Sequence, residues 1–136
     1  MKVIAILLVL VFSMALVVAP KKSPLEGTWK FVSSKDISSD KTVTNDGSKS
    51  DTIKIFTPTH VTYFSMSADK KQFVAGGVAR LEMKGNRYTE TIEYTSLLEN
   101  LGKMNQYEYR IEGDKLYQSG VAWNGSKGES VWQRVK

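Results

Sequence analysis

The feature that most constrains this chain is how its period-two segments are joined. Apolar and polar residues alternate over eight stretches, 27–34, 52–57, 60–66, 73–84, 87–95, 105–112, 115–123 and 129–135, and such alternation is the signature of half-buried strands. The connections between them alternate in length. Pro58-Thr59, Gly85-Asn86 and Gly113-Asp114 are tight turns, built from residues that preset φ or tolerate a positive φ. The connections at 35–51, 67–72, 96–104 and 124–128 are longer and polar. In an up-and-down meander every second connection lies at the same end, so this order predicts a vessel closed at one end and open at the other. Eight strands give an all-β, eight-stranded antiparallel barrel whose interior side chains can fill, or that can hold one small ligand. Closure also removes exposed strand edges.

The barrel domain is placed at 27–136, after a signal peptide at 1–19 and a polar linker at 20–26. Lys2 is followed by 17 residues, 3–19, that are almost unbrokenly apolar. At about 1.5 Å per helical residue this run falls short of a hydrocarbon core of about 30 Å, which favours a cleaved export signal over an anchor. The expected location is periplasmic or secreted, with an uncleaved membrane anchor as the alternative. The chain contains no cysteine, so the fold must stand on its core. Without Lys2 there remain 18 basic against 14 acidic side chains, a net charge of +4. The basic residues are scattered and interrupted by Glu90, Glu93, Glu108 and Glu112, which describes a solvated surface rather than a nucleic-acid-binding face.

The first and last strands answer each other. Gly27-Thr28-Trp29 opens the first and Arg134 ends the last. In a meander both fall at the closed end, where an arginine over an indole face clamps the seam. These residues resemble the paired signature of the calycin superfamily, which includes lipocalins and fatty-acid-binding proteins. Through Tyr88-Thr89-Glu90-Thr91-Ile92-Glu93 and Glu129-Ser130-Val131-Trp132-Gln133-Arg134-Val135, the chain from about 25 to 135 also resembles exported bacterial lipocalin-like proteins of unassigned function. The resemblance implies a calycin barrel. The Thr-Asp-Tyr motif of typical lipocalins is replaced here by Glu112-Gly113-Asp114-Lys115.

With Trp29 inside, alternation assigns the interior. Phe31 and Ser33 face inward from the first strand, and Ile53 and Ile55 from the second. Gly77, Ala79, Leu81 and Met83 follow from 73–84, and Tyr88, Glu90, Ile92 and Tyr94 from 87–95. Tyr107, Tyr109, Ile111, Leu116, Gln118, Gly120, Ser130, Trp132 and Arg134 complete the set. On 60–66, Val61 and Tyr63 compete with Phe64 and Met66. The expected ligand-binding residues are Phe31, Glu90, Tyr107, Tyr109, Gln118 and Trp132, aromatics with a few orienting polar groups; Trp29 and Arg134 are structural. An inward carboxylate must be paired, solvated or neutralised, so Glu90 either meets a ligand or pairs with Arg134 or a tyrosine hydroxyl. Ser96-Leu97-Leu98-Glu99 fits a capping box ended by Gly102, predicting one helical turn whose Leu97, Leu98 and Leu101 either form a lid or pack on neighbouring loops. Asn124-Gly125-Ser126 matches a glycosylation sequon and is read as a turn.

Two functions remain. One is binding of a small apolar or amphipathic molecule in the open end; the other is a filled barrel that contacts an envelope protein partner, or inhibits an enzyme, through its long loops and Trp123. Catalysis needs a nucleophile–base or acid–base pair. With no cysteine, one histidine (His60) at the base and only Glu90 inward, the sequence offers neither, and the chain is read as non-catalytic, without cofactor or metal.

Overall fold

In a computed structural model, residues 21–38 and 41–136 are described; the signal-peptide expectation lies outside them. Nine strands, β1 (Gly27–Ile37), β2 (Thr42–Asn45), β3 (Ser50–Phe56), β4 (His60–Ser67), β5 (Phe73–Lys84), β6 (Arg87–Thr95), β7 (Met104–Glu112), β8 (Lys115–Val121) and β9 (Lys127–Arg134), form one antiparallel sheet. β1 pairs with β9 and closes the sheet into an eight-stranded barrel. The ninth strand, β2, is the difference from the sequence expectation. It lies in what read as the loop 35–51, and pairs with the upper half of β1 (Ser34↔Asn45 to Ile37↔Thr42) on the edge that β3 occupies below (Gly27↔Phe56 to Lys30↔Ile53).

The three tight turns gather at one end. The chain ahead of β1 seals that end. Leu25, in the segment expected to be a linker, is 1% exposed and belongs to the core. Its carbonyl accepts the Trp29 indole N–H at 2.7 Å. The Arg134 guanidinium lies 4.0 Å from the Trp29 ring centre and donates to the carbonyls of Glu26 (3.0 Å) and Pro24 (2.8 Å). Gly27 has φ +124°, and a Cβ there would meet Arg134 Nη1 at 3.0 Å, so backbone conformation and close packing both require glycine at this end of the seam.

Above this cap the core is Trp29, Phe56, Val61, Ala79, Leu81, Tyr88, Ile92, Leu116 and Trp132. Three strands depart from the expected inward set, one by phase and two by bulges. In β3 the inward residues are Lys54 and Phe56, not Ile53 and Ile55, because Lys54 pairs with Trp29 and Phe56 with Gly27, and directly paired residues share a face. A bulge between Phe31 and Ser33 shifts the phase of β1, so Ser34, opposite Ser130, faces inward in place of Ser33. A second bulge, between Val78 and Ala79 against Ile92 and Tyr94, turns Tyr94 outward, where it is 69% exposed. On β4, Val61 is buried and Phe64 is exposed, which settles the ambiguity there in favour of Val61 and Tyr63. Met83, inward by register, is exposed near the base.

The helical signal becomes a single 3-10 turn, Leu98–Asn100, followed by Gly102 at φ +73°. The capping box does not form: Ser96 Oγ accepts instead from the Gly76 N–H at 3.0 Å. Nor do the leucines close the mouth. Leu98 and Leu101 lie on the outer flank with Phe64, Phe73 and Tyr94, around a groove of about 540 Å³. Asn124-Gly125-Ser126 makes a turn, with the Ser126 N–H and hydroxyl both donating to Asn124 Oδ1 and Gly125 at φ +82°.

Candidate functional site

The interior is filled at the base and open at the mouth. A cavity of about 300 Å³ enters the upper barrel between β1, β7, β8 and β9. Phe31, Tyr107 and Trp132 form its apolar wall, Ser34, Asp36, Lys54, Gln118 and Ser130 are polar groups in its lining, and Ser126, Lys127 and Glu129 also line it. Phe31 and Trp132 meet edge to face at 5.3 Å, and the Trp132 indole N–H donates to Ser130 Oγ at 2.8 Å. Gly120 makes room for Tyr107: a Cβ at this position would collide with the Tyr107 ring and the Gln106 carbonyl.

The floor of the cavity is a buried ion pair absent from the sequence expectation. Lys54 Nζ donates to Glu90 Oε1 at 3.1 Å, with 11% and 8% of the two side chains exposed. The ammonium also sits 5.1 Å from the ring centre of Tyr107, 5.3 Å from Trp132 and 5.8 Å from Phe56. A buried charge is tolerable when paired and placed against aromatic faces. Glu90 thus pairs with Lys54. The sequence expected Arg134 or a tyrosine hydroxyl in that place; Arg134 is engaged at the opposite end.

Of the expected ligand residues, Phe31, Tyr107, Gln118 and Trp132 line the cavity, while Glu90 lies behind Lys54. Tyr109 does not line it. Its ring packs 6.1 Å from Tyr88, and its hydroxyl points to the base, 3.5 Å from the Gly85 carbonyl. The residues that sequence reasoning missed are Lys54, Ser34 and Asp36. An inward Glu90 without a cation was the signal that could have found Lys54.

Two buried polar atoms find no partner among the described residues: Gln118 Oε1 and the Tyr88 hydroxyl. Burial, reinforced by the charge of Glu90, pushes the Tyr88 phenol well above its ordinary value of 10.0, and the same two causes raise Tyr107. The native state therefore keeps protons that the unfolded chain releases above pH 10. Stability is undiminished below that pH and falls as pH rises beyond it. Tyr88→Phe removes the Tyr88 share of this liability and an unpaired buried hydroxyl. It is expected to raise stability at pH 7 by about 1 kcal/mol and to flatten the alkaline decline, as read from denaturant unfolding at pH 7 and above pH 10. A lower stability at pH 7 would show that the hydroxyl has a partner.

A hydroxyl–imidazole–carboxylate chain also stands on the outer face near the base, unforeseen in the sequence. Thr59 Oγ1 lies 2.8 Å from His60 Nδ1, His60 Nε2 lies 3.3 Å from Glu93 Oε2, and Arg80 shares Glu93 at 3.5 Å. His60 is 40% exposed at its side chain, so this arrangement stands on the surface and not in the cavity. At the mouth, Trp123 ties two loops together: its indole donates to Asn100 Oδ1 at 3.0 Å and its ring lies under Lys103.

No family model matches the sequence, and no curated protein matches it. Among solved structures, the chain is similar to one titled "De novo design of a fluorescence-activating beta barrel", at 16% identity and a TM-score of 0.47, over 81% of this chain and 93% of that one.

Proposed function

We propose that this chain is a non-catalytic, lipocalin-like barrel of the calycin type, exported to the periplasm or secreted, that takes one small, partly apolar molecule into the mouth of its barrel. The observation that carries the reading is the cavity of about 300 Å³ walled by Phe31, Tyr107 and Trp132 over a polar floor. Apolar walls with few convergent polar groups are the composition of small-molecule sites. The calycin assignment is supported by Gly27-Thr28-Trp29 meeting Arg134 at the seam, and export by the apolar run at 3–19. A non-catalytic role is supported by Lys54 and Glu90 engaging each other.

The test is a titration with a small apolar naphthylamine fluorophore. Saturation at one per chain is expected, with a change in tryptophan emission. In Trp132→Phe, binding should persist while most of the emission change disappears, because Trp29 is sealed in the base and Trp123, held by Asn100 and Lys103, does not line the cavity and contributes a background. Absence of saturable binding would sink the reading. A second reading, protein docking, is favoured by one observation, the exposed outer flank of Phe64, Phe73, Tyr94, Leu98 and Leu101; on that reading the titration finds no site and the flank is where a partner protects the chain from labelling.

A further inference from the structure

We infer, resting on the binding reading above, that the molecule taken up is a neutral amphiphile whose buried end donates a hydrogen bond, such as a hydroxyl or a primary amide, and not a carboxylate or an amine. The charges of the site lead to this. Lys54 and Glu90 are bonded at 3.1 Å and present no net charge to the cavity. An anionic end would bring a charge that the site does not offset, because Lys127 and Glu129 in the lining balance each other, Asp36 also lines the cavity and Glu90 lies behind Lys54. A cationic end would meet the Lys54 ammonium instead. What stands unmet in the site is an acceptor. Gln118 is 5% exposed, lines the cavity, and its Oε1 receives no hydrogen bond from the described residues, and an unmet buried acceptor is costly until a donor arrives. Lys54 has three N–H donors and one is committed to Glu90, so an end that both donates and accepts, as a primary amide does, matches Gln118 and Lys54 together. Phe31, Tyr107 and Trp132 take the apolar remainder. The cavity of about 300 Å³ limits the whole molecule to about ten heavy atoms, at the volume of about 30 Å³ that a water occupies in the liquid.

Octanamide, octanoate and methyl heptanoate have about ten heavy atoms each by this measure, and they isolate the terms: neutral donor, anion, and neutral non-donor. Titrated into the full chain at pH 7.5 and followed by tryptophan emission and calorimetry, octanamide should bind about tenfold more tightly than either of the others. Gln118→Met, close in volume and lacking the acceptor, should weaken octanamide by about tenfold and leave methyl heptanoate unchanged. Its thermal midpoint should match or exceed that of the parent, which shows that the loss is not unfolding. Octanoate binding as tightly as octanamide, or octanamide indifferent to Gln118→Met, overturns the inference and leaves the binding reading standing. If none of the three binds, the binding reading itself falls, and this inference with it. The ranking of the three probes on the unaltered chain decides the matter even if the variant fails to fold.

Discussion

Glu90→Gln is expected to lose about 3–5 kcal/mol of folding stability, a large share of what a domain of this size possesses. The substitution keeps the shape of the side chain and removes its charge, leaving the Lys54 ammonium buried without a counterion. Three aromatic rings within 5.8 Å of Lys54 Nζ soften the loss, so the lower end of the range is favoured. Lys54→Met should cost a comparable amount by stranding Glu90. The double variant Lys54→Met/Glu90→Gln strands no charge and should recover most of both losses, because a buried ion pair replaced by neutral groups is often close to neutral in stability. The four proteins form a double-mutant cycle read by denaturant midpoints at pH 7. Additive losses would mean that the two side chains do not depend on each other, and the paired floor of the cavity would have to be abandoned.

The ion pair also marks the boundary of what the sequence could disclose. The barrel was legible because local chemistry specifies it: Pro58, Gly85-Asn86 and Gly113-Asp114 make their turns whatever lies elsewhere, and a meander with such turns at one end has few ways to close. The meeting of Trp29 and Arg134 was legible for the same topological reason. Lys54 was not. Between Ile53 and Ile55 it reads as the polar phase of a strand whose apolar residues face the core, and only the ladder partner, Trp29↔Lys54, shows that the phase is reversed. The bulges that expose Tyr94 and bring Ser34 inward are likewise invisible in alternation, since one inserted residue changes the face of everything beyond it. β2 escaped because four polar and β-branched residues, Thr42–Asn45, carry no apolar stripe. Of the candidate site, the walls were foreseen through Phe31, Tyr107, Gln118 and Trp132, while the charged floor depended on a contact between residues 36 positions apart.

Arg134→Ala should cost about 3 kcal/mol, although the side chain is far from the cavity. Its guanidinium stacks 4.0 Å from the Trp29 ring centre and bonds the carbonyls of Glu26 and Pro24. Cation–π attraction contributes about 0.5–2 kcal/mol, and hydrogen bonds from a charged donor about 1.5–3 kcal/mol, reduced here by partial exposure. The carbonyls of Glu26 and Pro24 flank Leu25, so losing the guanidinium also loosens the segment that buries Leu25 against Trp29. The Trp29 indole N–H, bonded to the Leu25 carbonyl at 2.7 Å, reports on that loosening: its hydrogen exchange should accelerate in Arg134→Ala. Arg134→Lys should recover little, because an ammonium cannot bond two carbonyls in the fixed fork geometry of a guanidinium while lying flat on an indole. Binding at the mouth should be unaffected in both variants under conditions where they are folded, since base and cavity share only the barrel wall. An unchanged denaturant midpoint together with a still-protected indole proton would show that the barrel closes without its clamp, and Arg134 would then be a surface residue resting on Trp29.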